Sequence, residues 1–205
     1  MSKELYLIRH GQTESNVNKL TIGHTDIGLT EHGTQEVREL ALHLQSLNVL
    51  PSMIYSSPLL RARRTAEILQ TTLGGSLCFD ERLKEINYGD YEGSTRDVLW
   101  ELEFGYHIEK MRAGNAETVQ EVEKRISEFM ESLIDNTETT LVVAHGMILS
   151  VFSQVLLGLD RSFSTVQALK NADYNYFSVE VNSERMLIVM RTQMNSLRGR
   201  LEFRR

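Results

Sequence analysis

Two histidines stand in the same local setting. In LYLIRHG (Leu5 to Gly11) and TLVVAHG (Thr140 to Gly146), a short apolar run ends in His-Gly. Such runs read as buried strands, and open α/β sheets bind ligands beyond the carboxyl ends of their strands. His10 and His145 are therefore expected at one sheet edge as a pair of imidazoles. A neutral imidazole can attack phosphorus and carry the phosphoryl group. Two arginines suit the same substrate. Arg9 precedes His10, and Arg61 lies in SSPLLRARRTAE, in the first turn of a helix expected to start at Ser57-Pro58. A phosphate there would meet a guanidinium and the field of a helix N-terminus. Gly146 and Met147 open the helix after His145, where backbone N–H groups can bind phosphate oxygens. A lone strand-end histidine is more often a residue capped by a carbonyl, but two His-Gly strands agree here.

The elements that must position these residues alternate between strand and helix. After the first strand, Gln12 to Gly28 reads as a loop lying over the site. Thr30 is a helix N-cap, and Val37, Leu40, Ala41, Leu44 and Leu47 recur at helical spacing, so a helix runs to about Asn48. Met53 to Tyr55 is a short strand. Ala62, Ala66, Leu69 and Leu73 stripe the helix after Ser57-Pro58, and Gly74-Gly75 stops it before a strand at Ser76 to Phe79. Asp80 to Gly93 is a polar, glycine-punctuated loop, and a short helix is expected around Val98 to Glu103. Asn115 is expected to cap a helix striped by Val119, Val122, Ile126, Phe129 and Leu133. The helix after His145 is apolar nearly all round and should be buried. Tyr174 to Val181 and Met186 to Met190 read as strands joined at Asn182-Ser183. This order implies an α/β fold, a three-layer sandwich with a mostly parallel sheet and helices on both faces. The chain, 1–205, is expected to be a single domain, since no linker divides it.

Composition excludes several classes. Apolar residues make up 41% and charged residues 24%, the balance of an ordinary globular protein. A net charge of −6 argues against nucleic acid and anionic membranes as partners. It leaves room for a small phosphorylated metabolite held by a local arginine cluster. The one cysteine, Cys78, can form neither an internal disulfide nor a Cys-rich metal site, which points to a reducing, cytoplasmic compartment. The first apolar run is too short for a signal peptide, and Met147 to Leu157 is too polar to span a bilayer. The sequence does not specify an oligomeric state.

LIRHGQTESN resembles the signature of the histidine phosphatase superfamily, in its phosphoglycerate-mutase-like branch. Two further stretches match that family's patterns. Around Arg61, the pattern Ser-x-Leu-x-Arg-Ala-x-x-Thr-Ala is met by Ser57, Leu59, Ala62, Thr65 and Ala66. In LKEINYGDYEG, Leu83, Glu85, Gly89, Tyr91, Glu92 and Gly93 match Leu-x-Glu, three residues, then Gly-x-aromatic-Glu-Gly. The resemblance spans residues 5–150. It implies that His10 is the nucleophile, that Arg9, Arg61, Asn16 and His145 bind phosphate oxygens, and that Glu85 is the general acid and base. It places His145 as a donor to a non-bridging oxygen. It implies pocket roles for Gln12 and Gly23, a structural role for Glu92, and for Glu117 either an orienting role or that of a helix-start acid. No metal or other cofactor is implied.

The reading is a metal-independent phosphomonoester hydrolase acting through phosphohistidine on His10. A phosphoglycerate mutase is the alternative within the family. The cofactor-dependent mutases carry a long basic insert after the Glu-Gly loop, whereas Ser94 to Gly114 is short here and holds only Arg96, Lys110 and Arg112. Two other classes stand beside it. One is a metallohydrolase built on His10, His145 and Glu85, disfavoured by placing Arg9 and Arg61 next to a cation. The other is a non-catalytic phospho-ligand binder, which would show no turnover.

Overall fold

In the computed structural model, which describes residues 3–95, 114–135, 138–159, 169–184 and 186–194, the apolar runs become the strands of one six-stranded sheet. These are β1 (Lys3–Arg9), β2 (Met53–Ser56), β3 (Ser76–Phe79), β4 (Thr140–Ala144), β5 (Tyr174–Val181) and β6 (Leu187–Met194), in the order β3-β2-β4-β1-β5-β6. The first four in that order are parallel, and β5 and β6 add antiparallel to β1 and to each other. The central strands β1 and β4 are buried on both faces, which is why they read as continuous apolar runs. Leu5 and Leu7 of β1, with Val142 and Ala144 of β4, point to one face. Tyr6 and Ile8, with Leu141 and Val143, point to the other.

Helices cover both faces. On the Tyr6 side lie α2 (Glu31–Ser46), through Val37, Leu40, Ala41 and Leu44, and α3 (Leu60–Leu73), through Ala62, Ala66, Leu69 and Leu73. On the Leu7 side lie α4 (Val119–Ser132), through Val122, Ile126 and Phe129, and α5 (Gly146–Leu157), through Ile148, Leu149, Val151 and Phe152. This is the α/β sandwich expected from the alternation of elements. Among the described residues, no helix is long and apolar enough to cross a membrane.

Boundaries moved where capping chemistry differed from the sequence pattern. The loop after β1 contains one helical turn, α1 (Glu14–Val17), closed by a reciprocal box between Thr13 and Asn16. Thr30 caps α2 as expected, but the helix ends at Ser46, and Asn48 turns away with φ of 57°. Helix α3 begins at Leu60, not at Pro58. Its N-cap is Leu59, and the Leu60 N–H is met by the Asp26 carboxylate at 2.6 Å. The cap of α4 is Thr118, boxed with Glu121, while Asn115 sits in a left-handed turn before it. Strand β6 runs on to Met194, four residues past Met190. The helix expected around Val98 to Glu103 lies outside the described residues.

Gly11 and Gly33 let α2 press onto the segment after β1. A Cβ on Gly33 would overlap the Gln12 backbone, and one on Gly11 would overlap the Gly33 carbonyl. The first turn of α2 thus buttresses the segment that follows His10.

Candidate active site

Register alone makes the two histidines neighbours. Arg9 of β1 pairs with Ala144 of β4, so the next residues, His10 and His145, leave adjacent parallel strands side by side. The His10 N–H donates to the Ala144 carbonyl at 3.1 Å, and the ring centroids are 5.2 Å apart. Strand β2 ends beside them, with the Ser57 N–H donating to Val143 O at 3.0 Å.

His10 is held in one tautomer. Its Nδ1 lies 2.7 Å from the Gly11 carbonyl, which can only accept, so Nδ1 carries the proton and Nε2 keeps its lone pair. Burial, and next the charges of Arg9 and Arg61, push its pKa well below the ordinary imidazole value, while the bond to Gly11 opposes that shift. The Gly11 peptide is itself anchored, since its N–H donates to Thr65 Oγ1 at 3.2 Å and the Thr65 hydroxyl donates to Arg61 O at 2.8 Å. On the other side, the Asn171 amide donates to His10 O at 3.1 Å and to Asn16 Oδ1 at 2.9 Å. Asn16 Oδ1 also accepts from Thr13, so a phosphate oxygen would be left with the Asn16 Nδ2 donor.

Arg61 is buried to 2% exposure at the start of α3. Its Nε donates to His145 Nδ1 at 3.2 Å, Nη1 to Thr25 O at 3.1 Å and Nη2 to Gly23 O at 2.7 Å. A guanidinium has five N–H groups, so these bonds leave two for a phosphate. The helix N-terminal field expected at Arg61 is met by the Asp26 carboxylate. His145 lies against the same guanidinium. Arg61 Nε can only donate, so His145 Nδ1 accepts, and Nε2 stands 2.8 Å from Ser57 Oγ. Burial, followed by Arg61, His10 and Arg9, holds its pKa well below the ordinary value. The ring is therefore neutral, and any donation to phosphate from Nε2 must replace its bond to Ser57.

Glu85 is buried beside the start of α5. Its Oε1 accepts from Ile86 N–H at 3.0 Å and its Oε2 from Met147 N–H, in the first turn of α5, at 3.3 Å. Burial raises its pKa above the ordinary carboxylate value, against those two hydrogen bonds and the charge of Arg61. A carboxyl that keeps its proton at higher pH is suited to give it to a leaving group.

The remaining expected residues divide. Arg9 lies at the end of β1 and donates through Nη1 to Leu169 O. Gly23 is tied by its carbonyl to Arg61 and by its N–H to Glu92. A Cβ on Gly23 would overlap the Ile86 carbonyl, so glycine lets this loop reach the Glu85 segment. Glu92 is structural, and its carboxylate gathers Gly23 N–H, His24 N–H and Thr25 Oγ1. Gln12 braces α2, with its side-chain oxygen accepting from Thr30 Oγ1 at 3.1 Å. Sequence reasoning missed Asn171 and Arg125 outright, and placed Ser57 as a helix cap and a motif position without a partner at His145. His24, whose Nε2 lies 2.9 Å from Glu85 O, was given no role. Ser57 and Thr65 stood inside a recognised motif, so they had a signal. Asn171 and Arg125 had none, because their partners lie far off in the chain. Among the described residues, no three His, Cys, Asp or Glu side chains converge as a metal site.

A six-stranded α/β sheet with two imidazoles, two arginines and a buried carboxyl at one edge defines a phosphoryl-handling enzyme class. Residues 5–191 match the model of the histidine phosphatase superfamily (branch 1), and the chain belongs to that superfamily. It is 34% identical over 164 residues to the protein named "Probable phosphoglycerate mutase GpmB" of Escherichia coli, covering 76% of this chain and 75% of that one. A solved structure of mycobacterial glucosyl-3-phosphoglycerate phosphatase with VO3 superposes with a TM-score of 0.81 at 24% identity, over 96% of this chain and 100% of that one. Bacillus stearothermophilus YhfR superposes with a TM-score of 0.77 at 28% identity, over 92% and 95%. The chain is thus an enzyme of the phosphatase and mutase family.

Proposed function

We propose that this protein is a metal-independent phosphomonoester hydrolase of the cytoplasm, acting on a small phosphorylated metabolite through phosphohistidine on His10. One observation carries the reading. His10 is neutral, its Nδ1 proton is tied to Gly11 O, and its Nε2 lone pair is left for phosphorus. In the first step a bond forms from Nε2 to phosphorus as the bond to the ester oxygen breaks, and Glu85 gives its proton to that oxygen. In the second, Glu85 takes a proton from water, the water oxygen bonds to phosphorus, and the bond to His10 breaks to release phosphate. Charge gathers on the equatorial oxygens. There Arg9, the two remaining Arg61 N–H groups, Asn16, His145 and the Gly146 N–H at the start of α5 supply donors, whereas the Met147 N–H expected to join them is taken by Glu85 Oε2; such electrostatics is where most of the acceleration arises.

The 34% identity to a protein named as a probable mutase favours a second reading, in which the phosphoryl group returns to the substrate. Against it stands the short stretch from Ser94 to Gly114, which holds only three basic residues. The test supplies 3-phosphoglycerate, with and without 2,3-bisphosphoglycerate, in EDTA, and follows both products beside a panel of simple monoesters. Phosphate release with little 2-phosphoglycerate is the expected result. Rapid 2-phosphoglycerate formation with negligible phosphate would promote the mutase, and activity lost to EDTA would return the metallohydrolase. Protein that turns over without acid-labile phosphate under rapid quench would remove the covalent step.

A further inference from the structure

Apart from a single 3-10 turn at Glu81–Leu83, the segment leading to Glu85 has no regular structure of its own, so its carboxyl must be aimed from elsewhere. Arg125, on α4, holds that segment. Its Nη1 donates to the carbonyls of Arg82 and, at 2.7 Å, Lys84, and its Nη2 donates to that of Glu85 at 3.3 Å. The same guanidinium is locked to Glu117, Nε to Oε1 at 2.7 Å and Nη2 to Oε2 at 2.8 Å. Glu117 closes the other end, with its N–H donating to Asn87 O at 2.7 Å and its carboxylate accepting from Asn87 N–H at 3.3 Å. One ion pair therefore fastens residues 82, 84, 85 and 87, on both sides of the carboxyl. Neither member is hydrogen-bonded to His10, His145, Arg9 or Arg61.

We propose that the Arg125–Glu117 pair is the positioning device of the Glu85 carboxyl, acting on leaving-group protonation and not on attack by His10. The inference rests on the phosphatase reading above. Only arginine suits the post, because a planar fork can serve three carbonyls and a carboxylate at once, whereas a lysine ammonium is a point donor. A rigid frame matters because a misplacement of about 1 Å can cost on the order of 100-fold in rate.

Removing Arg125 alone would strand the Glu117 charge, so the first variant is Arg125→Met with Glu117→Leu, a replacement of both partners that commonly preserves stability. The second is Arg125→Lys, which keeps the charge and loses the fork. Both are assayed on p-nitrophenyl phosphate, whose leaving oxygen needs little protonation, and on glycerol phosphate, whose leaving oxygen needs it badly. The expected result, read in kcat/KM so that only the steps up to phosphoenzyme formation count, is a fall of about 100-fold on the alkyl ester and a far smaller one on the aryl ester. Added to Glu85→Gln, either variant should cost nothing further on the alkyl ester. Equal losses on both esters, losses that multiply with Glu85→Gln, or an unchanged alkyl rate would each overturn the proposal. Wild-type protein idle on both esters would instead overturn the phosphatase reading, and this inference with it.

Discussion

Replacing Thr65 by valine removes one oxygen and keeps the shape of the side chain. That oxygen is fully buried and makes two hydrogen bonds. The bond it donates to Arg61 O is a helix back-bond to the preceding turn and is worth little. The bond it accepts from Gly11 N–H is different, because its loss leaves a buried backbone donor unsatisfied at a cost of about 1–3 kcal/mol. In a chain of this size each kcal/mol lowers Tm by roughly 2–4 °C. A functional loss should accompany it. The Gly11 peptide that Thr65 anchors also carries the carbonyl that fixes His10 Nδ1 at 2.7 Å, so a looser peptide frees the ring. A fall in kcat on the order of 10-fold is expected, on aryl and alkyl esters alike, since nucleophilic attack is what suffers. Thr65→Ser is the control, because it keeps the oxygen and loses only a methyl group. Urea unfolding and steady-state kinetics on the three proteins decide the matter. If valine proves as stable and as active as serine, the Gly11–Thr65 bond does not hold the nucleophile.

Gly33→Ala should destabilise by about 1–3 kcal/mol through overpacking, although the same change in an open helix stabilises by about 1 kcal/mol. A higher urea midpoint in Gly33→Ala would mean that α2 does not press on the Gln12 backbone. On pH, His10 titrates below the ordinary 6.5 and Glu85 above the ordinary 4.5, so kcat/KM on an alkyl ester should fall on the acid side as His10 takes a proton and on the basic side as Glu85 loses one. Glu85→Gln should abolish the basic limb alone, and a limb that persists would belong to another group. Both buried imidazoles have lowered values, so the unfolded chain binds protons first as pH drops below 6.5. Stability should therefore fall from that point downward, and the urea midpoint should fall less steeply in His145→Gln than in wild type. His10→Ala should show no turnover and no acid-labile phosphate.

The sequence by itself determined the elements whose burial is uniform along the chain. Strands β1 and β4 are buried on both faces, so their apolar runs were legible; α2, α3 and α4 carry stripes that recur every three or four residues, and α5 is apolar nearly all round. It also determined the list of candidate chemical groups, because His10, Arg61, Glu85 and His145 sit in motifs long enough to exceed chance. Element ends were less legible, since capping is a contest among nearby side chains. Asp26, 34 residues upstream, took the start of α3 that Ser57 was expected to take. What only the tertiary structure decided was the state of each group. Parallel pairing of β1 with β4 set the two imidazoles 5.2 Å apart, and burial beside Arg61 made His145 a neutral acceptor. Asn171 and Arg125 became part of the site because distant segments pack there, 161 residues from His10 in one case and 40 from Glu85 in the other. Neither has a local pattern to betray it. A hydrogen bond between remote residues leaves no periodicity in the chain, and desolvation depends on everything packed around a group, so protonation and aim are properties of the folded molecule alone.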